Sequence, residues 1–127
     1  MTVLLVDDDD QLRGCCRRHL TASGFAVLEA DNGLEALLIS VQHRGAIDVL
    51  ITDLVMPGIG GMELGRAFNE LWPSVNVLYV SGSSRETAGD QIPADCAFLP
   101  KPFALHALVD AIRCVPERGL SPRSRML

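Results

Sequence analysis

The feature that most constrains this chain is an alternation. Short apolar runs of strand length take turns with longer stretches whose apolar residues recur at helical spacing. Val3-Leu4-Leu5-Val6 is continuous rather than alternating, the pattern of a strand covered on both faces. The acidic run Asp7–Asp10 follows, and its later members can cap a helix over residues 11–22 that Gly24 ends. Phe25–Leu28 reads as a second strand. Asn32 then caps a helix with Leu34, Leu37, Leu38 and Val41 spaced i, i+3, i+4, i+7, which predicts one buried face. Residues 48–53 form a third strand ending in Asp53. A Met56-Pro57-Gly58 loop leads to a helix with Leu64, Phe68 and Leu71, stopped by Pro73. Val75–Val80 is a fourth strand and Cys96–Leu99 a short fifth. Phe103–Val115 is a last helix with Leu105, Leu108, Val109 and Ile112 on one side.

Strands alternating with helices imply a parallel sheet with right-handed crossovers and helices on both faces. Five such units in 127 residues suit the flavodoxin-like, doubly wound α/β sheet of order 2-1-3-4-5. The stretch Ser83–Asp95, between strands four and five, is rich in turn-formers and has a single large aliphatic, Ile92. It predicts a short or irregular helix that opens easily. Residues 1–115 read as one domain and 116–127 as a flexible basic tail.

Composition narrows the function. Eleven basic and sixteen acidic residues give a net charge of −5. That disfavours direct nucleic-acid binding and adhesion to anionic lipid. No apolar run approaches the roughly 20 residues that span a bilayer, and the start has no basic leader, so the expectation is a cytoplasmic protein without membrane insertion. The cysteines, with Cys15 adjacent to Cys16 and no CxxC, fit neither a disulfide framework nor a zinc site. They read as small buried core residues.

In open sheets of this order the site lies beyond the carboxyl ends of strands one and three. Those ends deliver Asp7, Asp8 and Asp53, strand four ends in Ser81, and strand five leads into Lys101, the sole lysine. Each residue alone has an ordinary explanation, as a helix cap or a solvated charge. Three carboxylates together repel one another unless a cation is present, and all-oxygen ligands select a hard one, Mg²⁺ or Mn²⁺. A hard cation beside a carboxylate, facing an ammonium and a hydroxyl, suits a phosphoryl group. Asp53, alone at its strand end beside a flexible loop, is the best nucleophile.

The run Val3–Asp9, Asp53-Leu54-Val55-Met56-Pro57-Gly58, Tyr79-Val80-Ser81-Gly82 and Leu99-Pro100-Lys101-Pro102-Phe103 together resemble a response-regulator receiver domain. Gly24-Phe25 and Ala30-Asp31-Asn32-Gly33-Leu34-Glu35-Ala36-Leu37 extend the likeness over residues 2–115. The resemblance implies a phosphoryl-accepting switch of a two-component phosphorelay rather than a true enzyme, self-phosphorylation and autodephosphorylation aside. Asp53 would be the phospho-acceptor. Asp8, Asp53 and the backbone carbonyl of Val55 would ligate Mg²⁺ (or Mn²⁺), and Asp7 would act mostly through water. Lys101 would pair with a phosphoryl oxygen, Ser81 would turn to hydrogen-bond it, and Phe98 would be the switch aromatic. Val55 and Ser83 occupy the positions that tune dephosphorylation. Partners would be a histidine kinase or histidine phosphotransfer domain and a downstream output protein. The wording also resembles receivers of hybrid histidine kinases, so a stand-alone regulator and a piece of such a kinase stay open.

A haloacid-dehalogenase-like phosphatase also uses an aspartate after a strand, but the Thr or Val expected two residues after the second acid is here Gln11 or Leu12. No GxGxxG follows the first strand, and the acidic run lacks the glycine of an EF-hand loop. A degenerate receiver that only binds partners would not need the full acid, hydroxyl and lysine set.

Overall fold

Strands buried on both faces need helices above and below, and the molecule supplies them. The computed structural model describes residues 1–44, 46–82 and 97–115. The elements run β1 (Thr2–Val6), α1 (Asp10–Ala22), β2 (Ala26–Ala30), α2 (Gly33–Gln42), β3 (Val49–Asp53), α3 (Gly61–Leu71), β4 (Asn76–Ser81), β5 (Ala97–Pro100) and α4 (Leu105–Arg113). All pairings are parallel and the sheet order is β2-β1-β3-β4-β5. The fold class expected from the alternation is the one observed.

The burial of each strand follows its place. Central β1, β3 and β4 are buried almost throughout, whereas edge strands β2 and β5 are half-buried. Two apolar layers sandwich the sheet. One joins Leu4, Val6, Leu50, Val77 and Tyr79 to Ala36 of α2 and to Leu64 and Phe68 of α3. The other joins Val3, Leu5, Ile51, Leu78 and Val80 to Cys16 and Leu20 of α1 and to Leu108, Val109 and Ile112 of α4. Alternate residues of each strand thus serve opposite layers, as the pleat requires.

The caps are local chemistry. The Asp9 carboxylate accepts the Gln11 and Leu12 N–H groups and starts α1; the Asn32 side chain accepts the Glu35 N–H and starts α2. Gly24, at φ +99°, turns the chain out of α1.

Several expectations need correction. Of the stripe of α2 only Leu37 packs against the core: Leu34, Leu38 and Val41 are 62%, 57% and 59% exposed, and the fully buried residues are Gly33, Ala36 and Ser40. The cause is proximity. A Cβ on Gly33 would sit 2.9 Å from the Ile59 Cβ, so α2 approaches closely through small residues; Leu34, Leu38 and Val41 turn outward, while Leu37 and Ile39 stay half-buried against the core. Leu71 is also exposed, at the last turn of α3, whereas Leu105 packs beside Leu108, Val109 and Ile112 as expected. Cys16 is buried as expected, but Cys15 and Cys114 are exposed. The strand expected over residues 25–28 begins one residue later and runs on to Ala30. The expectations for Ser83–Asp95, for Cys96 and for the tail 116–127 lie outside the described residues.

Candidate functional site

The register carries the site. Val6 pairs with Thr52 between β1 and β3, so the residues that follow, Asp7 and Asp53, emerge side by side at the carboxyl rim. Asp53 pairs with Val80 and Ser81 with Pro100, which brings Lys101 to the same rim. The Lys101 N–H donates to the Ser81 carbonyl at 2.7 Å and fixes the backbone from which the ammonium reaches inward.

The Lys101 Nζ lies 3.0 Å from Asp7 Oδ2 and 3.1 Å from Asp53 Oδ2. Asp7, Asp8 and Asp53 each offer a carboxylate oxygen within 4.8 Å of the others. Asp7 is buried, Asp53 half-buried and Asp8 exposed, so the cluster opens toward solvent at Asp8. Three carboxylates and one ammonium leave a formal charge of −2, which matches one divalent cation. Hard oxygen donors, this charge and an opening fit Mg²⁺ or Mn²⁺. Burial opposes the charge on Lys101, but the hydrogen bonds to Asp7 and Asp53 outweigh it and raise its pKa above the ordinary lysine value. The ammonium therefore stays charged at neutral pH.

Each acid is held differently. Asp7 accepts the Asp9 N–H at Oδ1 (2.9 Å), its own N–H donates to the Ala30 carbonyl (3.2 Å), and the Arg13 Nη1 donates to its carbonyl (2.6 Å). Asp53 Oδ1 receives the Val55 N–H at 3.4 Å, a long bond. Behind Asp53 stands Gly61, where a Cβ would strike the Asp53 carbonyl. Beneath the site, burial first, then Asp7 and Cys15, push the Cys16 thiol up to about 11 against the opposing effect of Lys101, so it remains an uncharged core group.

The sequence placed Asp7, Asp8, Asp53 and Lys101 in one centre, and the structure brings all four together. Ser81 is buried at the end of β4. Phe98 is half-buried on β5, paired with Tyr79 and packed against the layer formed by α2 and α3. Val55 is 76% exposed in the loop after Asp53, and Ser83 lies outside the described residues. Sequence reasoning missed Arg13. Its spacing from Asp10 (i, i+3) was a readable signal, but its contacts with Glu29 and the Asp7 carbonyl exist only in the fold.

A doubly wound α/β sheet with an acidic, lysine-anchored centre at its switch point is the build of two-component signalling receivers. The chain belongs to the response regulator receiver domain family, whose model matches residues 3–113. Among curated relatives it is 37% identical over 119 residues to the sensor kinase CckA of Brucella abortus (strain 2308), covering 92% of this chain and 13% of that protein. It is 36% identical over 121 residues to the response regulator MprA of Mycobacterium leprae (strain TN), covering 93% of this chain and 52% of that one. The chain therefore spans a small part of the first relative's length and about half of the second's. Among solved structures, the receiver domain of the hybrid histidine kinase CckA matches with TM-score 0.76 at 36% identity, over 89% of this chain and 96% of that one. A response regulator receiver protein from Sinorhizobium medicae WSM419 matches with TM-score 0.81 at 28% identity, over 91% and 93%. Receiver domains are signalling switches, and the family match displaces the phosphatase alternative. Among the described residues no helix is long and apolar enough to cross a membrane.

Proposed function

We propose that Asp53 accepts a phosphoryl group from a phosphohistidine of a histidine kinase or histidine phosphotransfer domain. A carboxylate oxygen of Asp53 attacks phosphorus, the P–N bond breaks, and its electron pair leaves with the imidazole. The observation that carries this reading is the single ammonium of Lys101 held between Asp7 and Asp53, with Asp8 in the same cluster. Asp8, Asp53 and the Val55 backbone carbonyl are the groups that would hold Mg²⁺ or Mn²⁺, with Asp7 acting through water. When bound, the cation supplies charge neutralisation for the phosphoryl oxygens.

The chain's own residues do the rest. Lys101 exchanges its Asp53 partner for a phosphoryl oxygen. Ser81 turns its hydroxyl toward another, and Phe98 repacks into the space that this leaves. Val55 presents an apolar side chain beside the phosphoryl group and cannot orient an attacking water; with Ser83 it sets the phosphoryl lifetime. Apart from self-phosphorylation and autodephosphorylation the domain catalyses nothing, acts in the cytoplasm, and hands its state to an output partner.

Incubation with Mg²⁺ and acetyl phosphate, followed by intact mass, tests the acceptor. The wild-type chain gains one phosphoryl mass and Asp53→Ala does not. A full-stoichiometry gain in Asp53→Ala overturns the assignment.

A further inference from the structure

The phosphoryl chemistry above uses no arginine, yet the Arg13 guanidinium reaches into the turn that carries Asp7 and Asp8. Its Nη1 donates to the Asp7 carbonyl at 2.6 Å, its Nη2 lies 2.7 Å from Asp10 Oδ1, and its Nε lies 3.3 Å from Glu29 Oε1. The side chain is only 15% exposed. Glu29 belongs to β2, and its other oxygen pairs with Arg17 at 3.2 Å. One guanidinium thus ties α1, β2 and the β1–α1 turn together.

The atom it holds matters. The Asp7 carbonyl belongs to the planar peptide that joins Asp7 to Asp8, so fixing that oxygen fixes the direction in which Asp8 departs. The same turn is held on its other side by the Asp7 N–H, which donates to the Ala30 carbonyl. Charge is already balanced around Arg13: two acids, Asp10 and Glu29, face two arginines, 13 and 17.

We propose that Arg13 is a positioning residue for the cation centre: clamped by Asp10 and Glu29, it holds the peptide from which the Asp7 and Asp8 carboxylates face Asp53. This inference rests on the cation-binding reading above.

The sign of the effect separates positioning from simple electrostatics. A guanidinium near an acidic cluster repels an incoming cation, so its removal would tighten cation binding if charge were its whole influence. Loss of positioning weakens binding instead, and groups that orient metal ligands typically change affinity 10–100-fold when removed.

The test is Mn²⁺ titration of the full chain by electron paramagnetic resonance, with Mg²⁺ competition and thermal melting alongside. Arg13→Ala is expected to weaken Mn²⁺ binding about tenfold. Arg13→Lys, which keeps one donor to the Asp7 carbonyl but cannot bridge two acids, restores part of the affinity. Arg13→Met, which keeps the apolar stem but has no donor for the Asp7 carbonyl, weakens binding in the same direction and carries the test should Arg13→Ala fail to fold. Arg17→Ala removes an equal charge from the same network without touching the turn, and binding stays within about twofold. Unchanged or tighter binding in Arg13→Ala, or in Arg13→Met if Arg13→Ala does not fold, overturns the inference, as does an equal loss in Arg17→Ala. Failure of the wild-type chain to bind Mn²⁺ removes the cation reading itself and the inference with it, a distinct result from binding that the variants leave untouched.

Discussion

Two acid-bearing turns meet at the rim of this sheet, and they are built in opposite ways. In the β1–α1 turn, Asp7 has both carboxylate oxygens, its N–H and its carbonyl engaged, at distances from 2.6 to 3.2 Å. In the β3–α3 turn, Asp53 shares Lys101 through Oδ2, but its Oδ1 has the long bond to the Val55 N–H. The loop beyond it exposes Val55 and bends at Gly58, φ +79°. The difference separates two roles. An acid whose every polar atom is bonded is an anchor, because any movement costs several hydrogen bonds. An acid with one loosely held oxygen on an open loop can lend that oxygen to chemistry. Asp53 is the proposed acceptor for the same reason that Asp7 is not.

The sharpest way to break this comparison is to move the acceptor from behind. Gly61, the first residue of α3, donates its N–H to the Leu54 carbonyl at 3.0 Å. A Cβ there would strike the Asp53 carbonyl and sit 2.8 Å from the Leu54 Cα, both backbone atoms with little room to yield. Gly61→Ala is therefore expected to destabilise the domain by about 3 kcal/mol, the upper part of the overpacking range, read as a fall in the urea midpoint. Phosphoryl incorporation from acetyl phosphate falls with it. A variant as stable and as reactive as wild type would show that the loop is soft enough to absorb the clash.

A smaller effect sharpens the contrast between the acids of the first turn. Asp8 is exposed and faces the opening of the cluster, whereas both Asp7 oxygens are already occupied. Asp8→Ala is expected to weaken Mg²⁺ binding about tenfold, near 1.4 kcal/mol, and Asp7→Ala by less. Isothermal titration with Mg²⁺ measures both. Equal losses would remove the distinction between a ligand and an anchor.

These turns were legible in the sequence because strand order alone decides which residues share a rim. A strand cannot end in Asp53 next to one ending in Asp7 without placing both carboxylates together, and the register confirms the placement. Helix α3 was legible for a related reason: Leu64 and Phe68 are large, apolar and buried at helical spacing. Helix α2 was not. Its periodicity identified an apolar face correctly as a pattern, but the face turned inward holds Gly33, Ala36 and Ser40. Ser40 is inside because its hydroxyl donates to the Leu37 carbonyl and accepts the Trp72 indole N–H at 3.0 Å. That partner is 32 residues away, and no hydropathy pattern reports it. Cys15 failed similarly, since adjacent residues on a helix point about 100° apart and only Cys16 meets the sheet. Arg13 was hidden because its meaning lies in a backbone oxygen that side-chain patterns do not describe.

The smallest expected effect belongs to the other end of the acceptor loop. Gly58 and Gly61 are both glycines of one turn, but for different reasons. Gly61 is required by what surrounds it, and Gly58 by its own dihedral, because at φ +79° nothing lies within 4 Å of an added Cβ. Alanine at Gly58 meets no atom and pays only the left-handed backbone, about 1 kcal/mol. Asparagine, which adopts that region more readily, costs less. Since the bend lies beyond Val55, Gly58→Ala should leave the Asp53 carboxylate and Lys101 in place, and phosphoryl incorporation should stay near the wild-type level while the urea midpoint falls slightly. If Gly58→Ala instead cost as much as Gly61→Ala and abolished incorporation, the loop would be a rigid part of the centre, and the contrast between a fixed first turn and a yielding second one would be lost.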